Sequence, residues 1–120
     1  MHELSIALSI LELAEEESQR RGAVEVTAIH VRVGPLSGVV ASALQGAYEL
    51  AREGSLLSRA RLVIEETPLV IYCSSCAADG PAVSPQRLCC LRCGALAPQV
   101  VSGSELEMAA LEIMAAESEL

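Results

Sequence analysis

Cys73-Ser74-Ser75-Cys76 and Cys90-Leu91-Arg92-Cys93 are the two stretches on which the fold of this chain turns. Each carries a pair of thiols two residues apart, and residues 77–89 lie between the pairs. One tight turn can aim both sulfurs of a C-x-x-C at a single ion. Two such turns brought together complete a tetrahedron of thiolates, the arrangement that structural zinc prefers. Four sulfurs leave no open position for water, so the site reads as structural rather than catalytic. Cys89 adjoins the second pair, but only Cys90 has the two-residue spacing to Cys93, so Cys89 is read as a non-ligand. Gly94 supplies permissive backbone just after the knuckle. A thioredoxin-type role is disfavoured, because a redox C-x-x-C opens a helix and neither pair here does.

Outward from the cysteines the composition changes. Residues 69–100 hold all five cysteines and three of the five prolines, with no long periodic segment. The flanks are periodic. Residues 3–20 read as an amphipathic helix with Leu4, Ala7, Leu8, Leu11 and Ala14 on one side and the Glu15–Glu17 run in solvent, and Gly22 stops it. Val24 to Val33 is a β-branched strand broken by Gly34-Pro35, and His30 is read as a strand residue. Ser37 is a candidate cap for a second helix reaching about Arg52, with Val40, Leu44, Ala47 and Ala51 on its buried side. Arg61 to Glu66 reads as a strand, as do Gln99 to Ser102 and Glu105 to Ile113 around a turn at Gly103-Ser104, and 116–120 is an acidic tail. The expected fold class is therefore α+β: a small mixed β-sheet with two helices, plus an inserted zinc-ribbon-like domain. Residues 1–67 and 101–120 form the discontinuous platform, and 68–100 the zinc-binding insertion.

Formal net charge is −8, and all eight basic residues are arginine, which leaves no electrostatic footprint for a phosphate backbone and disfavours nucleic acid as a partner. No apolar run approaches the length of a membrane span. The apolar Leu4–Leu11 stretch follows Glu3 rather than a basic segment and has no small-residue cleavage site after it, so the expectation is a mature cytoplasmic start. Thiols stay reduced in that compartment, which favours metal binding over disulfides.

Met1-His2-Glu3 carries a second chemistry. A terminal amine, the amide nitrogen of residue 2 and Nδ1 of His2 can chelate one metal in two fused rings, and the Glu3 amide nitrogen can fill a fourth position. A planar, all-nitrogen set suits Ni(II) or Cu(II) rather than zinc. The donors must shed protons, so such binding weakens in acid.

These two features in this order resemble the hydrogenase nickel-incorporation proteins, the HypA/HybF family. The resemblance runs over nearly the whole chain: Met1-His2-Glu3-Leu4-Ser5-Ile6-Ala7, then Val31-Arg32-Val33-Gly34-Pro35-Leu36-Ser37-Gly38-Val39, then Ala60 to Glu65 leading to Pro68, the cysteine pairs, and the Gly103-Ser104-Glu105-Leu106 turn. It implies a nickel metallochaperone, not an enzyme, that holds Ni(II) through Met1, His2 and Glu3. Structural zinc would sit on Cys73, Cys76, Cys90 and Cys93. The implied partners are the GTPase HypB and the large subunit of NiFe-hydrogenases, with urease served by some members, and a homodimer is left open. Departures from the family pattern are Leu91, where Pro commonly follows the first cysteine of the second knuckle, the adjacent Cys89, and an aromatic pair reduced to Ala47-Tyr48. No nucleophile–base pair and no phosphate-binding loop suggests an activity of the chain's own. The rival readings are a zinc-ribbon protein-interaction module, for which the N-terminus is incidental, and a small zinc hydrolase or thiol oxidoreductase.

Overall fold

The computed structural model describes residues 2–114. Met1 and the acidic tail expected at 116–120 lie outside the described residues. The elements run α1 (His2–Arg20), β1 (Glu25–Val33), α2 (Ala41–Ala51) with a 3-10 turn at Arg52–Gly54, β2 (Arg61–Glu66), β3 (Val70–Cys73), β4 (Ala78–Ser84), β5 (Arg87–Cys90), β6 (Gln99–Ser102) and β7 (Leu106–Met114). They form a three-stranded sheet, ordered β2-β1-β7, and a four-stranded sheet, ordered β5-β4-β3-β6. No helix among the described residues is long and apolar enough to cross a membrane.

The chain divides into two compact units. Among the described residues the first is 2–31, 40–65 and 107–114, and the second is Arg32–Val39 with Glu66–Leu106. In the first, α1 buries Ala7, Ile10, Leu11, Ala14 and Ser18. The expected stripe holds at Ala7, Leu11 and Ala14, but Leu4 and Leu8 are exposed and Ile10 takes the core position instead. At the end of this helix Glu17 pairs with both Arg20 and Arg21.

The second helix starts later than Ser37. The Ser37 hydroxyl accepts from Val39 N at 3.2 Å, which closes a local turn, and Val40 stays extended at φ −91° and ψ 119°. Val40 is therefore exposed, and the buried side of α2 is Leu44 and Tyr48. Tyr48 is fully buried, and its hydroxyl donates to the Ala60 carbonyl at 2.7 Å. Arg52 Nη1 donates to the same oxygen at 2.9 Å. Burial pushes the Tyr48 phenol above its ordinary pKa, which keeps it a neutral donor. Tyr48→Phe should cost about 1 kcal/mol, because one buried hydrogen bond is lost while Arg52 still satisfies the carbonyl. A lower denaturant midpoint with an unchanged slope would register that loss, and an unmoved midpoint would rule it out.

In the second unit the Gly34-Pro35 segment is tied down by backbone bonds: Gly34 N to Glu105 O at 2.8 Å and Leu36 N to Gly103 O at 2.7 Å. A Cβ at Gly34 would overlap the Gly103 carbonyl, so this turn admits only glycine at that position. The Glu105 carboxylate closes the same region, accepting from Thr67 Oγ1 at 2.7 Å and from Gly103 N at 2.9 Å. These donors, with its own N–H, hold the Glu105 carboxyl below its usual pKa.

Candidate metal centre

The core of the second unit is small. Ile71, Cys73, Cys90 and Ala97 are buried, with Leu69, Ala82, Leu88, Ala95 and Val100 packed around them. Two of its four buried members are cysteines, so apolar burial alone offers this unit little. Its two hairpin ends supply the rest. Strand β3 pairs antiparallel with β4 from Val70↔Pro81 to Cys73↔Ala78, which puts Cys73 at the end of the ladder and Cys76 in the turn beyond it. Strand β4 also pairs with β5, with Ala82 opposite Cys90, and this brings the second knuckle beside the first.

The knuckles are built alike. Cys76 N donates to the Cys73 sulfur at 3.4 Å. In the second, Gly94 N donates to Cys90 O at 2.7 Å and Cys90 N to Ala95 O at 2.8 Å. The residue after each pair is left-handed, Gly94 at φ 80° and Ala77 at φ 55°. Glycine adopts that conformation freely, whereas alanine pays about 1 kcal/mol for it, so the first knuckle holds its turn against local preference.

The sulfurs of Cys73, Cys76, Cys90 and Cys93 all lie within 4.8 Å of one another. Cys73 and Cys93 approach to 3.6 Å, and Cys76 and Cys90 to 3.9 Å. A tetrahedron of Zn–S bonds of about 2.3 Å has sulfur–sulfur edges of about 3.8 Å. The donor set therefore fits a tetrathiolate zinc in both type and spacing. Cys89 is outside this group, in an isolated bridge with Leu96.

Electrostatics separate the thiols. The Cys90 pKa is lowered to about 6, chiefly because the Cys93 N–H donates to its sulfur, with the Arg92 backbone and guanidinium adding to the effect. That of Cys76 is raised to about 12 by sharing hydrogen bonds with the thiols of Cys93, Cys73 and Cys90. Four clustered thiols cannot all ionise alone, and a divalent cation among them reverses that penalty.

In the first unit His2 is exposed at the first position of α1, and Glu3 follows half-buried. A Glu3 carboxylate oxygen accepts from Val40 N at 3.4 Å. Its own N–H, and then that of Val40, hold its pKa below the usual value. His30 instead pairs across the sheet with Glu112, Nε2 to Oε2 at 2.6 Å, and Arg61 lies 3.7 Å from the same carboxylate. Sequence reasoning missed Arg92, whose guanidinium ties the second knuckle to β4 through the Asp79 carbonyl at 3.0 Å; its only signal was a cation between two ligand positions.

A small α+β protein whose paired knuckles bring four cysteine sulfurs within reach of one ion is a metal-binding protein. Residues 1–113 match the family described as "Hydrogenase/urease nickel incorporation, metallochaperone, hypA". The chain is 46% identical over 112 residues to the hydrogenase maturation factor HypA of Roseiflexus sp. (strain RS-1), covering 93% of this chain and 91% of that protein. It is 43% identical to the HypA of Chloroflexus aurantiacus (strain ATCC 29366 / DSM 635 / J-10-fl), covering 93% and 98%. The solution structure of the Ni metallochaperone HypA from Helicobacter pylori aligns with a TM-score of 0.65 at 25% identity, covering 94% of this chain and 97% of that one. The chain belongs to the HypA family, the metallochaperones of hydrogenase and urease nickel incorporation.

Proposed function

We propose that this protein carries Ni(II) at its N-terminus and delivers it to the large subunit of a NiFe-hydrogenase, or to urease, together with a GTPase of the HypB type. It works in the cytoplasm as a carrier without a catalytic step of its own. Nickel is cargo, held by the Met1 amine, the backbone nitrogens of His2 and Glu3, and the His2 imidazole. Zinc is resident, held by Cys73, Cys76, Cys90 and Cys93, and it maintains residues 68–100 while the remainder of the chain presents the nickel site.

The observation that carries this reading is the position of His2, exposed at the first residue of α1 in a member of the nickel-incorporation family. The leading N–H groups of a helix have no carbonyl partner within it. A metal can therefore take the amide nitrogens of His2 and Glu3 without breaking a helical hydrogen bond.

Titrating untagged protein with Ni(II) tests this. One equivalent should bind and give the absorption of a planar, nitrogen-ligated ion, on a protein that already holds one equivalent of zinc. Protein with its zinc centre formed that ignores nickel at neutral pH would reduce the molecule to a zinc-stabilised interaction module.

A further inference from the structure

Strand β4 carries a glycine in its interior, Gly80, opposite Ile71 of β3. Glycine weakens a strand and commonly marks a close approach by another group. Here the group is a side chain. A Cβ on Gly80 would stand 2.5 Å from Arg92 Nη2 and 2.8 Å from Arg92 Cζ. The guanidinium lies across the bare backbone, and Nη2 donates to the Asp79 carbonyl at 3.0 Å. The knuckle that bears it is fixed to the same strand by Leu91 N to Pro81 O at 3.1 Å. Arg92 itself stands between two of the cluster's sulfurs in the chain, Cys90 and Cys93, so the seat on β4 holds the second knuckle directly.

We propose that Arg92 is a positioning residue for the four-cysteine centre: seated on Gly80 and anchored to the Asp79 carbonyl, its guanidinium clamps the second knuckle to β4 and so holds Cys90 and Cys93 in place for the ion. The inference rests on the zinc reading above. Zn²⁺ with four thiolates carries two net negative charges, and Arg92 is a cation carried on the knuckle between two of the ligands. A knuckle held against β4 also gives up its two thiolates more slowly than one free to swing. Lysine keeps the charge but lacks the planar group that lies flat across Gly80 while donating to the Asp79 carbonyl.

The test uses the untagged full-length protein, its Arg92→Met, Arg92→Lys and Gly80→Ala variants, and three readouts. These are zinc per chain, the rate of zinc transfer to excess pyridylazoresorcinol, and the rate at which iodoacetamide labels Cys90, located by mass spectrometry. Removing an outer partner of a metal ligand typically costs about 10–100-fold in metal affinity. Arg92→Met should therefore transfer zinc at least several-fold faster and expose Cys90 to alkylation, with Arg92→Lys intermediate. Gly80→Ala keeps every charge and every ligand. A Cβ there displaces a flexible side chain rather than backbone, so it should behave like Arg92→Met. It also keeps the test decisive if Arg92→Met fails to fold. Zinc-loaded variants that transfer zinc and alkylate Cys90 at the parent's rates would overturn the role of Arg92. A parent protein without stoichiometric zinc would overturn the zinc reading itself.

Discussion

Cys90→Ser should release zinc and collapse the cooperative unfolding of the second unit, while Cys89→Ser should leave both intact. The two residues are neighbours with the same chemistry, so the contrast isolates geometry. Cys90 is 1% exposed and its sulfur stands 3.9 Å from that of Cys76. Cys89 is half-buried, contributes a backbone bridge to Leu96, and has no place in the cluster. Binding free energy for a structural zinc is folding free energy, with apparent values of about 10–16 kcal/mol in zinc-finger peptides at neutral pH. The second unit offers few other buried apolar groups, and Cys73 and Cys90 are themselves among them. Loss of one sulfur thus removes a ligand and a core side chain together. Zinc stoichiometry and the absorption of the Co(II)-substituted protein would report the ligand count, and hydrogen exchange would report the collapse. Four-sulfur metal retained in Cys90→Ser would mean that the knuckle register is shifted by one residue onto Cys89.

Spacing alone brought these four cysteines into view, because a tetrahedral ion accepts very few loop geometries. The flanking elements were legible for a different reason. The β-branched run of β1 leaves little choice of period. Reading failed where two answers fit the same letters. In α1 the apolar residues Leu4, Ile6, Leu8, Ile10 and Leu13 spread around much of the helix, so periodicity could not decide between Leu8 and Ile10 for the core. At α2 a serine followed by apolar residues looks like a cap, yet its hydroxyl closes a local turn and the helix begins at Ala41. Tyr48 fills the core although it carries a hydroxyl, because Ala60 offers a carbonyl where that hydroxyl arrives. The seat of Arg92 on Gly80 depends on tertiary approach between two hairpins, which no local pattern encodes.

His2→Ala should reduce nickel binding by well over an order of magnitude, each tenfold being about 1.4 kcal/mol, with the fold almost unchanged. The imidazole is exposed at the start of α1, and surface substitutions of that kind stay within about 0.5 kcal/mol of the parent's stability. An N-terminal extension should produce a comparable loss by converting the Met1 amine to an amide. Because the amine, amides and imidazole form linked chelate rings, the losses should not add. The extended His2→Ala protein should bind about as poorly as either single change, as expected for groups that share one partner. Protons compete with the metal for the amine and the imidazole, so affinity should fall as pH falls and recover on return to neutrality. Isothermal titration with Ni(II), paired with thermal unfolding of the same samples, separates the possibilities. Full additivity would show that imidazole and amine serve different ions. Unfolding alongside nickel loss would show that the terminus supports the fold rather than the cargo. An extended protein with the parent's affinity and absorption would remove the amine from the ligand set and move the site elsewhere on the chain.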